Sequence, residues 1–162
     1  LSISQLQEFK GIGEAKAISI VAALELGRRR REGEMLMFDK INSSKSVFEI
    51  MQPILGDLQH EEFWVLFLNN SNKVLSKQQL SKGGITGTLV DIRLLMKKAL
   101  EIGAIALIVC HNHPSGTLKI SEADKQITAK INTAGTALDI KLLDHLIITE
   151  QAYVSFADEG LL

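Results

Sequence analysis

The sequence predicts an α/β fold: an α-β-α layered mixed sheet preceded by a small helical hairpin. Three observations carry this prediction. Apolar runs of strand length alternate with segments of helical period, the order that builds layered sheets. One run, residues 104–110, is apolar throughout and partly β-branched, as a strand covered on both faces must be. Charge also changes along the chain. Residues 1–31 hold six basic and three acidic groups, a net of +3, whereas the rest of the chain nets −4. That asymmetry predicts two pieces with different roles.

Taken in order, residues 4–9 predict a short helix and Lys10-Gly11-Ile12-Gly13 a break. A longer helix is predicted over 14–31, where Ala17, Ile18, Val21, Ala22 and Leu24 follow helical spacing. Residues 32–45 read as a linker, with a short extended stretch at 35–38. Ser44 or Ser46 is the expected cap of a helix over 47–55, with Pro53 near its end. Strands over 63–68 and 73–80 flank Asn69-Asn70-Ser71-Asn72, which predicts a hairpin. Residues 81–88 are glycine-rich and read as a loop. A helix over 91–102, a strand over 104–110, a helix over 121–134 and strands over 140–149 and 153–156 complete the chain. The expected organisation is a helical-hairpin leader at 1–31, a linker at 32–45 and an α/β domain at 46–162.

Composition narrows the function classes. The chain has 162 residues, 46% hydrophobic and 23% charged, which is globular rather than disordered. No run approaches the ~20 apolar residues that span a bilayer, so no membrane partner is expected. Leu1-Ser2-Ile3-Ser4 lacks signal-peptide patterning. A single cysteine excludes a disulfide framework and any multi-cysteine zinc module, and predicts a reducing, cytoplasmic setting.

The chemistry concentrates in Cys110-His111-Asn112-His113-Pro114-Ser115-Gly116, followed by Ser121-Glu122-Ala123-Asp124. Alternate side chains of a strand share a face, so His111 and His113 point the same way at a strand's C-terminal end. Open α/β sheets place ligand sites there. Asp124 falls in the first turn of the next helix. Two imidazoles and a carboxylate suit Zn²⁺, and three protein ligands leave a position for water, as in catalytic sites. Simpler readings exist for each part: Ser121 and Asp124 alone resemble a capping box, and the histidine pair alone could be surface residues. Their combination across a Pro-Ser-Gly turn favours the metal. A hydrolytic site also needs a base, and Glu61-Glu62 stand at the mouth of the apolar strand.

A Glu ahead of an apolar strand, then His-x-His-Pro-x₇-Ser-x-x-Asp, resembles the JAMM signature of the MPN metalloprotease-like, cytidine deaminase-like fold. His-Asn-His-Pro-Ser-Gly, Leu143-Asp144-His145-Leu146-Ile147-Ile148 and Lys-Gly-Ile-Gly are similar specifically to the bacterial RadC proteins, which are named for DNA repair. The resemblance implies one zinc per chain on His111, His113 and Asp124, with Glu62 as general base and Ser121 on the oxyanion. It implies hydrolysis of a peptide or isopeptide bond in a peptide or protein substrate by metal-activated water. Glu62 is preferred to Glu61 because it immediately precedes the aromatic strand residue; a one-residue slip would reverse its face. Two departures stand out. Ile120 occupies a position where the pattern commonly has Pro, and Asp91-Ile92-Arg93 replaces a Pro-Arg-Glu element.

The remaining candidates have plainer readings. Cys110 should face away from His111 as a small buried hydrophobe. His60 reads as solvent-exposed, Trp64 as core, and Asp144 and His145 as support for the ligands or packing. Lys10, Gly11, Gly13 and Lys16 resemble a helix–hairpin–helix whose backbone N–H groups approach phosphate. This predicts non-specific DNA contact through the leader, with Arg28–Arg31 adding charge. The alternative function is thus a DNA-associated repair or accessory protein with the JAMM domain as a binding module. A nucleoside deaminase fails on residues, since the His-x-Glu and Pro-Cys-x-x-Cys elements are absent. A two-histidine, one-carboxylate iron oxygenase uses a similar ligand set.

Overall fold

Strand β3, Ala106–Asn112, is buried along its whole length, and the rest of the fold is arranged around it. The computed structural model describes residues 2–35, 40–83 and 90–162. They divide into two compact units, residues 1–38 and 39–162.

In the first unit, α1 (Ile3–Gln7) is capped by Ser2, whose hydroxyl accepts from Gln5 N–H while the Gln5 side chain returns the bond. Helix α2 spans Glu14–Met35, longer than the sequence predicts. The residues expected to begin a linker continue the helix. Residues 36–38 of the expected extended stretch, the side chains of residues 29–31, and residues 84–88 of the expected glycine loop lie outside the described residues.

In the second unit, α3 (Ser44–Leu55) is capped neither by Ser44 nor by Ser46. Ser43 is the cap and Ser46 takes the reciprocal position of the capping box. Strands β1 (Glu62–Leu68) and β2 (Val74–Lys82) form the expected antiparallel hairpin. Its turn is set by Asn69, whose side-chain Oδ1 accepts from the N–H groups of Ser71 and Lys73. Helix α4 (Ile92–Ile102) is capped by Asp91 and stopped by Gly103 at φ 70°, a conformation glycine adopts without strain. Strand β3 leads through α5 (Glu122–Thr136) to β4 (Lys141–Ile148), which lies parallel to it. Short β5 (Tyr153–Ser155) closes the edge.

Among the described residues the sheet order is β2-β1-β3-β4-β5, and β3–β4 is its parallel pair. Strand alternation sorts the apolar residues into two layers. Leu66, Leu68, Ile108, Cys110, Leu146 and Ile148 join α3 on one face. Phe63, Val65, Phe67, Leu107 and Val109 meet α4 and α5 on the other. The observed architecture is therefore the predicted α-β-α layered mixed sheet. No helix among the described residues is long and apolar enough to cross a membrane.

Candidate metal centre

The site forms where β3 ends and α5 begins. His111 is the penultimate residue of β3, on the face that α5 covers, and it is 5% exposed. His113 lies just beyond the strand, where its N–H still donates to the Ile148 carbonyl and keeps it in the parallel ladder. Pro114 and Ser115 then turn the chain, closed by Gly116 N–H on the His113 carbonyl, with Gly116 at φ 76°. The returning loop brings the Thr117 carbonyl to 2.8 Å from His113 Nδ1. A carbonyl only accepts, so Nδ1 carries a proton, and in the neutral ring Nε2 holds the lone pair.

Asp124 sits in the first turn of α5. Ser121 caps the helix: its hydroxyl accepts from Asp124 N–H at 3.1 Å. The carboxylate returns the bond through Oδ2, accepting from Ser121 N–H at 2.8 Å and Ser121 Oγ–H at 2.6 Å. Oδ1 is left to face His111 Nε2 at 3.2 Å. His111 Nε2 and His113 Nε2 are 3.0 Å apart. One ligand atom from each of the three residues thus falls within 4.8 Å of the others. Burial alone would raise the Asp124 pKa, but the adjacent His111 ring and the hydrogen bonds from Ser121 outweigh it and hold the carboxyl below its ordinary range. A carboxylate and imidazole nitrogens facing one point form a group that can hold a cation, and the N,N,O set suits zinc. The residues present fit the metal that the sequence implies.

Behind the site, His111 Nδ1 lies 2.8 Å from His145 Nε2, and His145 Nδ1 lies 2.6 Å from Thr128 Oγ1. His145 is fully buried, stacked on Phe156 and tilted against Phe63. Burial pushes its pKa well below the ordinary histidine value. The neighbouring Asp144 turns elsewhere: it accepts from Ser155 Oγ–H, Ala157 N–H and His145 N–H, fixing the turn after β5. The sequence reading missed Thr128 and Phe63. Thr128 was findable, because a threonine four residues after a helical ligand shares its face.

Glu62 requires a correction. Strand alternation puts it with Trp64 and Leu66 on the α3 face, whereas His111 lies with Phe63 on the α5 face. Its carboxylate accepts from Trp64 Nε1–H at 2.8 Å, and its other oxygen meets His60 Nε2 at 2.8 Å and Lys82 Nζ at 4.0 Å. The structure does not bring Glu62 to the histidines. His60 is likewise part-buried rather than fully exposed, because it closes on Glu62. Asn112 braces this corner, accepting from Glu62 N–H and donating to the His60 carbonyl. Cys110 faces α3 as expected, and burial raises its thiol pKa well above the ordinary value. Trp64 packs, partly buried, against the α3 layer.

In the first unit, Lys10, Gly11, Gly13 and Lys16 are exposed. Gly11 has φ 93°, and Lys16 Nζ donates to its carbonyl at 3.0 Å.

Comparison with known proteins gives a consistent picture. A family model described as a RadC-like JAB domain matches residues 41–161. A UPF0758 protein of Flavobacterium johnsoniae is 70% identical over 161 residues, covering 99% of this chain and 70% of the relative. A UPF0758 protein of Porphyromonas gingivalis is 48% identical over 155 residues, covering 95% and 68%. A third, from Chlorobaculum tepidum, is 40% identical over 162 residues, covering 100% and 72%.

Proposed function

The chain belongs to the RadC family, with its JAMM/MPN-like fold, and on that premise we propose that it is a zinc-dependent hydrolase of peptide or isopeptide bonds. The observation that carries this reading is the convergence of His111 Nε2, His113 Nε2 and Asp124 Oδ1 at the C-terminal end of a buried strand. His111 is buried while His113 and Asp124 are partly exposed, so the group is anchored on one side and reachable from the other.

Zinc, when bound there, supplies a Lewis acid that acidifies water and polarises a carbonyl. The chain must supply the base. Antiparallel pairing sets Phe63 opposite His111, and the Phe63 ring stacks on that imidazole at 5.9 Å. Glu61 precedes Phe63 by two residues, so alternation gives it the histidine face, and continuing the register sets it opposite His113. We therefore assign Glu61 as the base in place of Glu62. Glu61 takes the proton from the attacking water and returns it to the leaving amine. Ser121 holds the Asp124 carboxylate in position, and its hydroxyl lies beside the reacting centre, where it can turn to a developing oxyanion.

The test is metal analysis after purification without added metal, followed by a peptide and isopeptide substrate screen. Zinc should copurify, and iron in its place would favour an oxygenase instead. Glu61→Gln should keep zinc and lower turnover by roughly 10²–10⁴-fold. Glu62→Gln should keep both. Turnover that survives Glu61→Gln would remove Glu61 as base.

A second reading, non-specific DNA contact through the leader, is favoured by Gly11 and Gly13, at both of which added side-chain bulk would meet only open space. Such glycines let a phosphate approach the turn before α2. If the leader acts this way, Lys10→Glu with Lys16→Glu should weaken DNA binding and flatten its salt dependence. The natural substrate is a peptide or protein, and the setting that suits the lone buried thiol is a reducing cytoplasm.

A further inference from the structure

The hydrogen bonds behind His111 assign each proton in turn. Thr128 Oγ1 lies 2.6 Å from the Asp124 carbonyl oxygen, four residues earlier in α5. A carbonyl only accepts, so the single hydroxyl proton goes to it. The same hydroxyl oxygen lies 2.6 Å from His145 Nδ1. With its proton engaged, that oxygen accepts, so His145 Nδ1 carries a hydrogen. His145 is 0% exposed and flanked by Phe63 and Phe156, an environment that keeps the ring neutral. Its Nε2 is then a lone pair, 2.8 Å from His111 Nδ1. His111 Nδ1 must donate, so in the neutral ring the Nε2 that faces His113 and Asp124 holds the lone pair.

We propose that Thr128 and His145 are positioning residues that fix the tautomer of His111, presenting the Nε2 lone pair to the metal position. An imidazole in the other tautomer would aim an N–H at that position and could not ligate. Metal-bound histidines commonly donate their second N–H to a carboxylate or carbonyl. His113 does so directly, to the Thr117 carbonyl. His111 instead reaches a carbonyl through two intermediates, and that carbonyl belongs to Asp124. The chain of bonds therefore runs from one ligand to the backbone of another. It locks ring orientation and helix position together. The aromatic walls leave His145 no competing polar partner in the described structure. This inference rests on the metal-site reading but concerns residues that touch no substrate.

The experiment uses the full chain labelled with ¹⁵N, kept metal-free above the histidine titration range, with ring nitrogens read by long-range ¹H–¹⁵N correlation. In the wild type, His111 and His145 should both show the Nδ1–H form. Thr128→Val is nearly isosteric and removes the acceptor for His145. It should mix the tautomers of both rings and weaken zinc binding, measured by chelator competition, by roughly 10–100-fold. Thr128→Ser should restore both readouts. Thermal unfolding of each metal-free variant tracks folding. A wild-type His111 in the Nε2–H form overturns the proposal. So does a Thr128→Val protein with unchanged zinc affinity, or one whose affinity falls while the His111 tautomer stays fixed. If wild type binds zinc no better than His113→Ala, the metal-site reading fails, and the wild-type spectrum still decides the tautomer assignment.

Discussion

Asp124 divides its work between two oxygens. Oδ2 closes the capping box with Ser121, and Oδ1 faces the histidines. An amide can keep the capping bonds through its oxygen but presents an N–H₂ group to the metal position. Asp124→Asn should therefore abolish tight zinc binding, by chelator competition, and lower the metal-free unfolding midpoint at neutral pH, by calorimetry, because the amide lacks the stabilisation of the ionised carboxyl. Ser121→Ala removes the cap and should cost about 1 kcal/mol of stability, read from urea unfolding. Cys110 gives a contrasting case, since it neighbours His111 in sequence but faces α3. Cys110→Ser buries a hydroxyl in an apolar layer, costing about 1–3 kcal/mol, with zinc affinity unchanged. The cluster of His111, His113 and Asp124 was legible because their spacing encodes their geometry. Glu62 was misjudged because identical neighbours in a strand differ only in parity. That parity was settled by the bonds to Trp64 and His60.

At the level of elements, the site depends on the β3–α5–β4 crossover. β3 delivers the histidines, α5 delivers Asp124 and Thr128, and β4 delivers His145. The end of α5 fixes how the helix returns to the sheet. A Cβ at Gly135 would clash with the Ile140 carbonyl oxygen, and Gly135 is itself buried. The obstacle is backbone, so no side chain can move aside. Gly135→Ala should destabilise by about 1–3 kcal/mol. The check is urea unfolding, alongside zinc affinity, which should fall if α5 is displaced along its axis. Helix and strand order was readable from apolar period. The cap of α3 was displaced to Ser43 because several serines in a row can each serve, and only the observed bonds select one.

For the whole molecule, Asp124 and Asp144 pull the pH dependence in opposite directions. The Asp124 carboxyl is held below the ordinary carboxylate range, so its contribution is complete within and above that range and fades as pH falls below it. Asp144 is raised above 3.8 by burial, despite its bonds from Ser155, Ala157 and His145. The folded state therefore binds its proton more tightly than the unfolded chain does. Its contribution is complete below 3.8 and declines as pH rises through the folded value. Metal-free Asp124→Asn should lose less stability than wild type as pH falls below the ordinary carboxylate range, measured by urea midpoints. An equal loss in both proteins would show that other groups dominate the acid limb. The sequence by itself determined the layered α/β class, the strand-to-helix order, and the grouping of His111, His113 and Asp124. Each follows from local periodicity or short spacing, which the chain carries within a few residues. Tertiary structure alone decided the face taken by Glu62 and the partnership of His145 with His111. It also decided the proton path through Thr128. Strand parity depends on pairing across the sheet, and a hydrogen bond between residues 34 positions apart exists only once β3 and β4 lie side by side.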